Sequence, residues 1–563
     1  MKIYEALAKA LRAEQPGRVF GVMGDGNLHL LTAFAAEQGP DALYPRHEAG
    51  AVAMADGYAR SAGTIGVATV TCGPGLAQVG TSLMAAQRAG TPLVVVVGDT
   101  PARDPSGLQD FDQQAFAESA GARFHALHSA DTLVDDIRDA FRTARTLRCP
   151  VVLNAPMDLQ QRDYDWPWEY RPSSESTVGA QRLHPDPAVV EDVMADLLRS
   201  ERPVVIVGRG ALQSGALEAV HHLADRIGAL LATTLPARGA FVGHEFDLGV
   251  AGAFSCAPAE AALAQADLVI GIGAELGYYT TESGFLFPDA EIVRIDDAPP
   301  PHLTEAVPAR YVRGDALATV EALNARLGDV TRTGFRTPET SATLAAVPPN
   351  DPYEPSRPEV VDPRELMRRL GPALPDDALV VCGVGHFWAF PIMYLPTSAS
   401  VEWMFSYQFG AIGQTLPVAI GAALARPDRT VVMIEGDGSL LMNVQELDTA
   451  ARYGIQLVCL VMNDAGFGAE VHKLRAKGHP GQLAAFATPS FAELGRAFGG
   501  EGAELTDVTR TAELFRTAAE TVGPFVIDAR VDPEVVSDPY RKIHFGLDNT
   551  APRLTAPRVG ASR

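Results

Sequence analysis

Two apolar runs that each end on an oxygen-bearing side chain constrain this chain more than any other feature. The first, Val431-Val432-Met433-Ile434, passes through Glu435 into Gly436-Asp437-Gly438-Ser439. The second, Leu457-Val458-Cys459-Leu460-Val461-Met462, passes into Asn463-Asp464-Ala465-Gly466-Phe467-Gly468. Asp464 follows Asp437 by 27 residues. Open α/β sheets bind ligands at the carboxyl ends of their strands. Two oxygen ligands beside helix N-termini suit a Mg2+ ion that bridges protein to a diphosphate. A lone Gly-Asp-Gly is also an ordinary turn. Gly24-Asp25-Gly26 illustrates this, since no such partner follows it. The second donor after a second apolar run makes the later copy specific.

At 563 residues the chain exceeds one hydrophobic core, and about two to four domains are expected. A composition of 47% hydrophobic and 20% charged residues is that of a soluble globular protein. Lys and Arg number 46 against 69 Asp and Glu, a net charge of −23. That argues against a nucleic-acid partner, which needs a basic face. Anionic ligands remain open, because a metal and helix ends can hold them locally. Cys72, Cys149, Cys256, Cys382 and Cys459 are scattered and odd in number, so neither a disulfide framework nor a metal pair is expected. Most sit in apolar runs and read as small buried hydrophobes. The start, Met1-Lys2-Ile3-Tyr4-Glu5, does not read as a signal peptide, and no apolar stretch is long enough to span a bilayer. A cytoplasmic protein with no membrane partner is expected.

Strand-like runs alternate with longer helical patterns along the whole chain, which reads as parallel α/β sheets. The first third carries runs at 65–70, 92–97 and 150–153, and the second at 203–208, 268–273 and 292–296. The last third carries 379–382, the two runs described above, and 524–528. Residues 163–186, rich in Trp, Pro and Ser, read as a connector, and 331–362, rich in Pro and Thr, as a linker. Three sheets in three blocks fit the length, and no short tandem repeat is visible.

This layout, with the Gly-Asp-Gly and Asn-Asp pair, resembles the thiamine diphosphate (ThDP) enzymes that include acetolactate synthase, pyruvate decarboxylase and benzoylformate decarboxylase. The likeness covers nearly the whole chain, and the local wording is most similar to acetolactate-synthase-like proteins. It implies an α/β fold of three consecutive doubly wound parallel-sheet domains. These are a pyrimidine-binding domain over 1–170, a central domain over 185–330 and a diphosphate-binding domain with a C-terminal tail over 363–563, after the 331–362 linker.

His47-Glu48-Ala49-Gly50, running on to Gly57-Tyr58-Ala59-Arg60, is the second anchor. Taken alone, a Glu at a helix start is a capping or dipole feature. The segment is similar to the family element whose Glu hydrogen-bonds N1′ of the aminopyrimidine. The resemblance therefore makes Glu48 the residue that shares a proton with N1′ and drives the ring to its imino form. That imino nitrogen then takes the proton from thiazolium C2. In the family this Glu reaches across a subunit interface, so a homodimer or homotetramer with active sites between subunits is implied.

The same likeness distributes the cofactor contacts. Asp437 and Asp464 would give Mg2+ its side-chain oxygens and Gly466 a backbone oxygen, with Asn463 the neighbour to consider next. Gly436, Gly438, Ser439, Phe467 and Gly468 would line the diphosphate, together with Gly385, His386 and Phe387 after an earlier strand. A structural His at 386 is the plain alternative. Gly410 would accept from the 4′-amino group and Ile412 would wedge the bent cofactor. Gly73, in Thr71-Cys72-Gly73-Pro74-Gly75, would lie beside it.

Asp25 stands where pyruvate decarboxylases carry an active-site acid, which favours protonation of a carbanion. His29, Cys72, Gln113, Gln114, Glu470 and His472 are candidate substrate contacts, although a packed or solvated His29 is an ordinary alternative. Lys473 stands where acetolactate synthases carry a Trp that shapes the acceptor pocket. No adjacent His pair occurs near 110–130; His125 and His128 are only loosely placed. In the central block, Glu275 replaces an Arg that helps the family hold FAD, so FAD is expected to be absent or unneeded.

The expected activity is ThDP- and Mg2+-dependent carboligation of a 2-oxo acid with a carbonyl acceptor. Simple decarboxylation to an aldehyde is the alternative. A non-catalytic paralogue and a nucleotide-binding oxidoreductase are competing classes. Against the latter, Gly208-Arg209-Gly210-Ala211-Leu212-Gln213 lacks the last Gly of a G-x-G-x-x-G turn. Residues 541–563 read either as a lid over the site or as a tail.

Overall fold

The computed structural model describes residues 1–36, 42–101, 107–176, 182–298, 309–346 and 352–542. Runs such as Leu93-Val94-Val95-Val96-Val97 are buried throughout. A strand apolar on both faces belongs inside a parallel sheet covered by helices on each side. Among the described residues three such six-stranded sheets form, one per block, and every strand pairing within them is parallel.

The first sheet contains β1 (Val19–Gly21), β2 (Ala42–Leu43), β3 (Gly66–Val70), β4 (Leu93–Asp99), β5 (Arg123–Ala126) and β6 (Pro150–Pro156). The second contains β7 (Pro203–Val207), β8 (Leu230–Thr233), β9 (Asp247–Val250), β10 (Leu268–Ile272), β11 (Glu291–Asp296) and β12 (Arg310–Arg313). The third contains β13 (Leu379–Cys382), β14 (Glu402–Phe405), β15 (Val431–Gly436), β16 (Leu457–Asn463), β17 (Glu501–Leu505) and β18 (Pro524–Arg530).

The first sheet runs β2-β1-β3-β4-β6-β5 and the third β14-β13-β15-β16-β18-β17, so the two share one topology. The second runs β12-β11-β10-β7-β8-β9, the order of dinucleotide-binding sheets. Strand order reverses between β1 and β3, between β7 and β10, and between β13 and β15. In open α/β sheets such reversal points, at the carboxyl ends of the strands, are where ligand crevices form.

The first and third domains pack through two helices rich in small residues, Glu48–Ala62 and Thr415–Ala425. A Cβ on Gly57 would lie 2.1 Å from the Val418 carbonyl oxygen, and one on Gly421 would lie 2.0 Å from that of Met54. The backbones approach this closely only because both positions lack side chains. Val52, Met54, Val95, Val418, Ile420 and Met433 therefore belong to one continuous core. Each such side chain, fully buried, contributes roughly 1.5–3 kcal/mol.

The second domain is stapled to the third by Arg238. Its guanidinium donates to the carbonyls of Ile392, Pro391 and Leu395 at 3.1, 3.2 and 2.8 Å and lies 3.8 Å from the Trp403 ring centroid. After β18 the chain crosses back to the second domain, where Lys542 pairs with Glu260. Within 163–186, Tyr164 is buried and Tyr170 donates to Glu14 at 2.7 Å. Within 331–362, a helix forms over Pro338–Ala345, and Ser356 Oγ donates to Asp532 at 2.6 Å. Four of the five cysteines are buried, Cys256 is exposed, and all are free thiols. No helix among the described residues is long and apolar enough to cross a membrane. The stretch 543–563, most of the proposed lid or tail, lies outside the described residues.

Candidate active site

β15 and β16 are neighbours, and the acids that follow them meet. Asp437 opens a short helix, Asp437–Leu440, and is buried. Its Oδ1 accepts from Gly438 N–H at 2.8 Å, and its Oδ2 accepts from Gly466 N–H at 3.1 Å. Asp464 lies beside Gly468, where a Cβ would be 2.1 Å from Asp464 Oδ2. Burial pushes both carboxyls up, and the Asp437 charge pushes Asp464 further. Two carboxyls raised in this way are neutralised either by a proton or by a cation held between them. The neighbouring Asn463 is committed inward: it donates to Asp528 at 2.8 Å and accepts from Ala465 N–H at 3.2 Å.

The reversal between β13 and β15 is walled by glycine. A Cβ on Gly383 would be 2.5 Å from Glu435 Oε1, one on Gly436 would be 3.1 Å from the Phe387 ring, and one on Gly385 would be 2.9 Å from it. Gly438 faces the T-shaped pair Phe467 and Phe486, whose rings are 5.2 Å apart. Gly413, at φ +84°, fastens the 410–416 loop to this wall. Its N–H reaches Ser439 Oγ at 2.7 Å, and its carbonyl accepts from Asn443 at 2.5 Å. Gly410 is exposed on this loop and Ile412 is half-buried. Beneath the crevice, burial pushes Glu435 up to about 7, against the Thr415 and Ser439 hydroxyls and Gly436 N–H. An acid inside an otherwise apolar strand was the signal in the sequence for Glu435.

These residues fit a Mg2+ diphosphate. Among the described residues no cluster of three or more His, Cys, Asp or Glu is placed to hold a metal alone. Mg2+ does not need one, since it binds through one or two carboxylates, backbone, water and substrate phosphates. Asp437, Asp464 and the side-chain-free backbone supply that set.

Glu48 is the first residue of its helix, and the His47 side chain caps the helix by accepting from Ala49 N–H at 3.0 Å. Ser82 Oγ lies 2.9 Å from the Ala49 carbonyl and 2.8 Å from Gln414 Oε1, so it bridges the Glu48 segment to the 410–416 loop. Asp25, Cys72 and Gly73 gather at the crevice of the first sheet. Asp25 is exposed, and burial raises the Cys72 thiol, with the charges of Asp99 and Asp25 adding to the effect. Cys72 Sγ is 2.9 Å from Gln109 Oε1. Gln113 is a strut of this turn: it accepts from Gly73 N–H at 3.2 Å and donates to Gly98 and Asn154 at 3.0 and 2.8 Å. Gln114 is exposed and pairs with Glu118 at 2.9 Å, while His29 stacks on Tyr4 at 5.2 Å.

His386 is buried, with Nε2 accepting from Ser537 N–H at 3.0 Å and its ring 4.4 Å from that of His472. Burial lowers both, His472 to about 4. His472 lies on the helix Gly468–Ala476, and on its exposed side Glu470 pairs with Lys473 at 3.5 Å. In the second domain, Gly210 N–H donates to the Gly273 carbonyl at 3.0 Å. A Cβ on Gly208 would be 2.2 Å from that same oxygen.

Residues 1–117, 190–323 and 383–529 match the N-terminal TPP binding domain, the central domain and the C-terminal TPP binding domain of the thiamine pyrophosphate enzymes. The acetolactate synthase large subunit of Haemophilus influenzae is 27% identical over 514 residues, 89% of each chain. That of Parasynechococcus marenigrum is 29% identical over 547 residues, 93% of this chain and 87% of its own. The isozyme 3 large subunit of Escherichia coli is 26% identical over 527 residues, 89% of each.

Proposed function

Since the chain belongs to the thiamine diphosphate enzyme family, we propose that it is a Mg2+-dependent carboligase of the acetolactate synthase kind, acting on a 2-oxo acid and a carbonyl acceptor. The observation that carries this reading is the carboxyl pair Asp437 and Asp464, both raised by burial, beside a glycine-walled crevice. In this reading Asp437, Asp464 and the Gly466 carbonyl hold Mg2+. Gly385, Phe387, Gly436, Gly438, Ser439, Phe467 and Gly468 shape the diphosphate cradle. His386 supports it through packing. Gly410 and Ile412 orient the aminopyrimidine end, and Gly73 borders it.

When bound, the cofactor supplies a nucleophilic carbon that adds to a ketone and holds the electron pair left as CO2 departs. Glu48 holds and moves the proton at N1′. The residues around Cys72 and Glu470 to Lys473 flank the substrates. A second copy of the chain bringing its Glu48 to this site is part of the proposal, as are cytoplasmic location and independence from FAD. The Gly210 N–H engaged by Gly273 supports the last point, because that amide is not turned towards a ligand phosphate.

The second reading is release of an aldehyde after decarboxylation. The exposed Asp25 at the first-domain crevice favours it, since a carboxyl there can deliver a proton. Purified protein with ThDP and Mg2+ should convert pyruvate, alone or with an aldehyde or diketone, to CO2 and a hydroxy-ketone. Free aldehyde with CO2 would select the second reading. No CO2 from pyruvate would reject both for that donor and turn the search to other 2-oxo acids.

A further inference from the structure

We propose that Glu446 is the positioning residue for Glu48: from the third domain, its carboxylate holds the first turn of the helix that Glu48 opens. This rests on the role proposed for Glu48. Glu446 is fully buried, and both its oxygens lie 3.2 Å from Arg46 N–H, across 400 residues of sequence. Thr449 Oγ1 donates to it at 2.7 Å, and His47 N–H is directed at it as well. Gly50 closes over the other side, where a Cβ would be 2.6 Å from Glu446 Oε1.

The contacts around it act in the same sense. Tyr44 N–H donates to Tyr453 Oη at 3.0 Å, its carbonyl accepts from Arg452 at 2.7 Å, and Arg46 Nε meets Asp448 at 2.5 Å. The helix Glu446–Arg452 thus claims the backbone that leads into Glu48. Its surface contacts face solvent and are screened, while Glu446 acts where water does not compete. All the groups around the carboxylate are donors, so an acceptor on both oxygens is required. A glutamine would turn an NH2 towards one of them. The same helix follows closely on Asp437–Leu440, so one stretch of chain fixes both the metal loop and the acid segment.

The test combines amide hydrogen exchange of the cofactor-free protein with kinetics of the loaded one. Glu446→Gln should speed exchange over 44–51 about tenfold or more while leaving Thr415–Ala425 unchanged. ThDP with Mg2+ should still bind within about threefold of wild type. Turnover should fall about tenfold or more, and its pH profile should shift, because the proton at Glu48 is no longer held in place. Asp448→Asn should change none of these. If Glu446→Gln is insoluble, Gly50→Ala displaces the carboxylate from the opposite side and must give the same pattern. Unchanged exchange over 44–51 would overturn the proposal alone, as would faster exchange with wild-type turnover and pH profile. A wild-type protein with no ThDP-dependent turnover would overturn it together with the reading of Glu48.

Discussion

Asp437 Oδ2 accepts the Gly466 N–H at 3.1 Å, which ties the loop after β15 to the loop after β16. The two acids are not equivalent. Asp437 is buried and receives two backbone N–H groups; Asp464 is half-buried. Asp437→Asn is expected to weaken Mg2+-dependent ThDP binding on the order of 100-fold, because its NH2 would face one of the two N–H donors, Gly438 or Gly466, that the carboxylate now accepts, and the loop geometry would be lost with the charge. Asp464→Asn keeps a side-chain oxygen and relieves repulsion, so it should stay within about tenfold. Titration calorimetry of both variants checks the contrast.

Acidity should oppose the metal. Burial raises Asp437 and Asp464 above the ordinary carboxylate value of 3.8. In the metal-free protein such groups keep protons that the unfolded chain has lost, so their contribution to stability falls as pH rises from about 4 towards neutrality. A bound cation removes that loss and must displace protons to bind. The rise in melting temperature on adding Mg2+ should therefore be larger at pH 8 than at pH 6. An equal rise at both would show that the carboxyls do not take part.

The contact between the first and third domains depends on two absent side chains. Gly57→Ala would press a methyl against the Val418 carbonyl, and Gly421→Ala would press one against that of Met54. Backbone cannot yield as a flexible side chain does, so each is expected to cost about 3 kcal/mol. Urea denaturation measures this directly. Gly63→Ala is a comparison with open space around the new atom, and strain from its φ of +66° alone should cost less.

Arg238→Lys is expected to cost about 2 kcal/mol although it keeps the charge. A lysine cannot fork to the three carbonyls of Pro391, Ile392 and Leu395 while lying on Trp403. Thermal unfolding should show the second domain loosening from the third. Wild-type melting would show that the guanidinium fork adds nothing.

Much of this was legible because it is local. Val431–Gly436 and Leu457–Asn463 announce themselves as buried parallel strands, and Asp437 and Asp464 stand at their ends. The topology shared by the first and third sheets was not legible. Strand order follows from crossovers and helix packing, and the two sheets reach the same order with unrelated residues. Glu446 was missed for a similar reason. Within Gln445-Glu446-Leu447 it looks like any helical acid, and only its meeting with Arg46 N–H gives it a task. Gln113 looked available to substrate, yet three hydrogen bonds tie it to the Gly73 turn and its neighbours.

The most direct measurement is turnover and cofactor binding of Glu48→Gln beside the wild type, with ThDP and Mg2+ saturating. The account predicts that the variant binds ThDP within about threefold and loses turnover by about 100-fold or more, since the amide cannot hold and release the N1′ proton. A variant that turns over at the wild-type rate would contradict it.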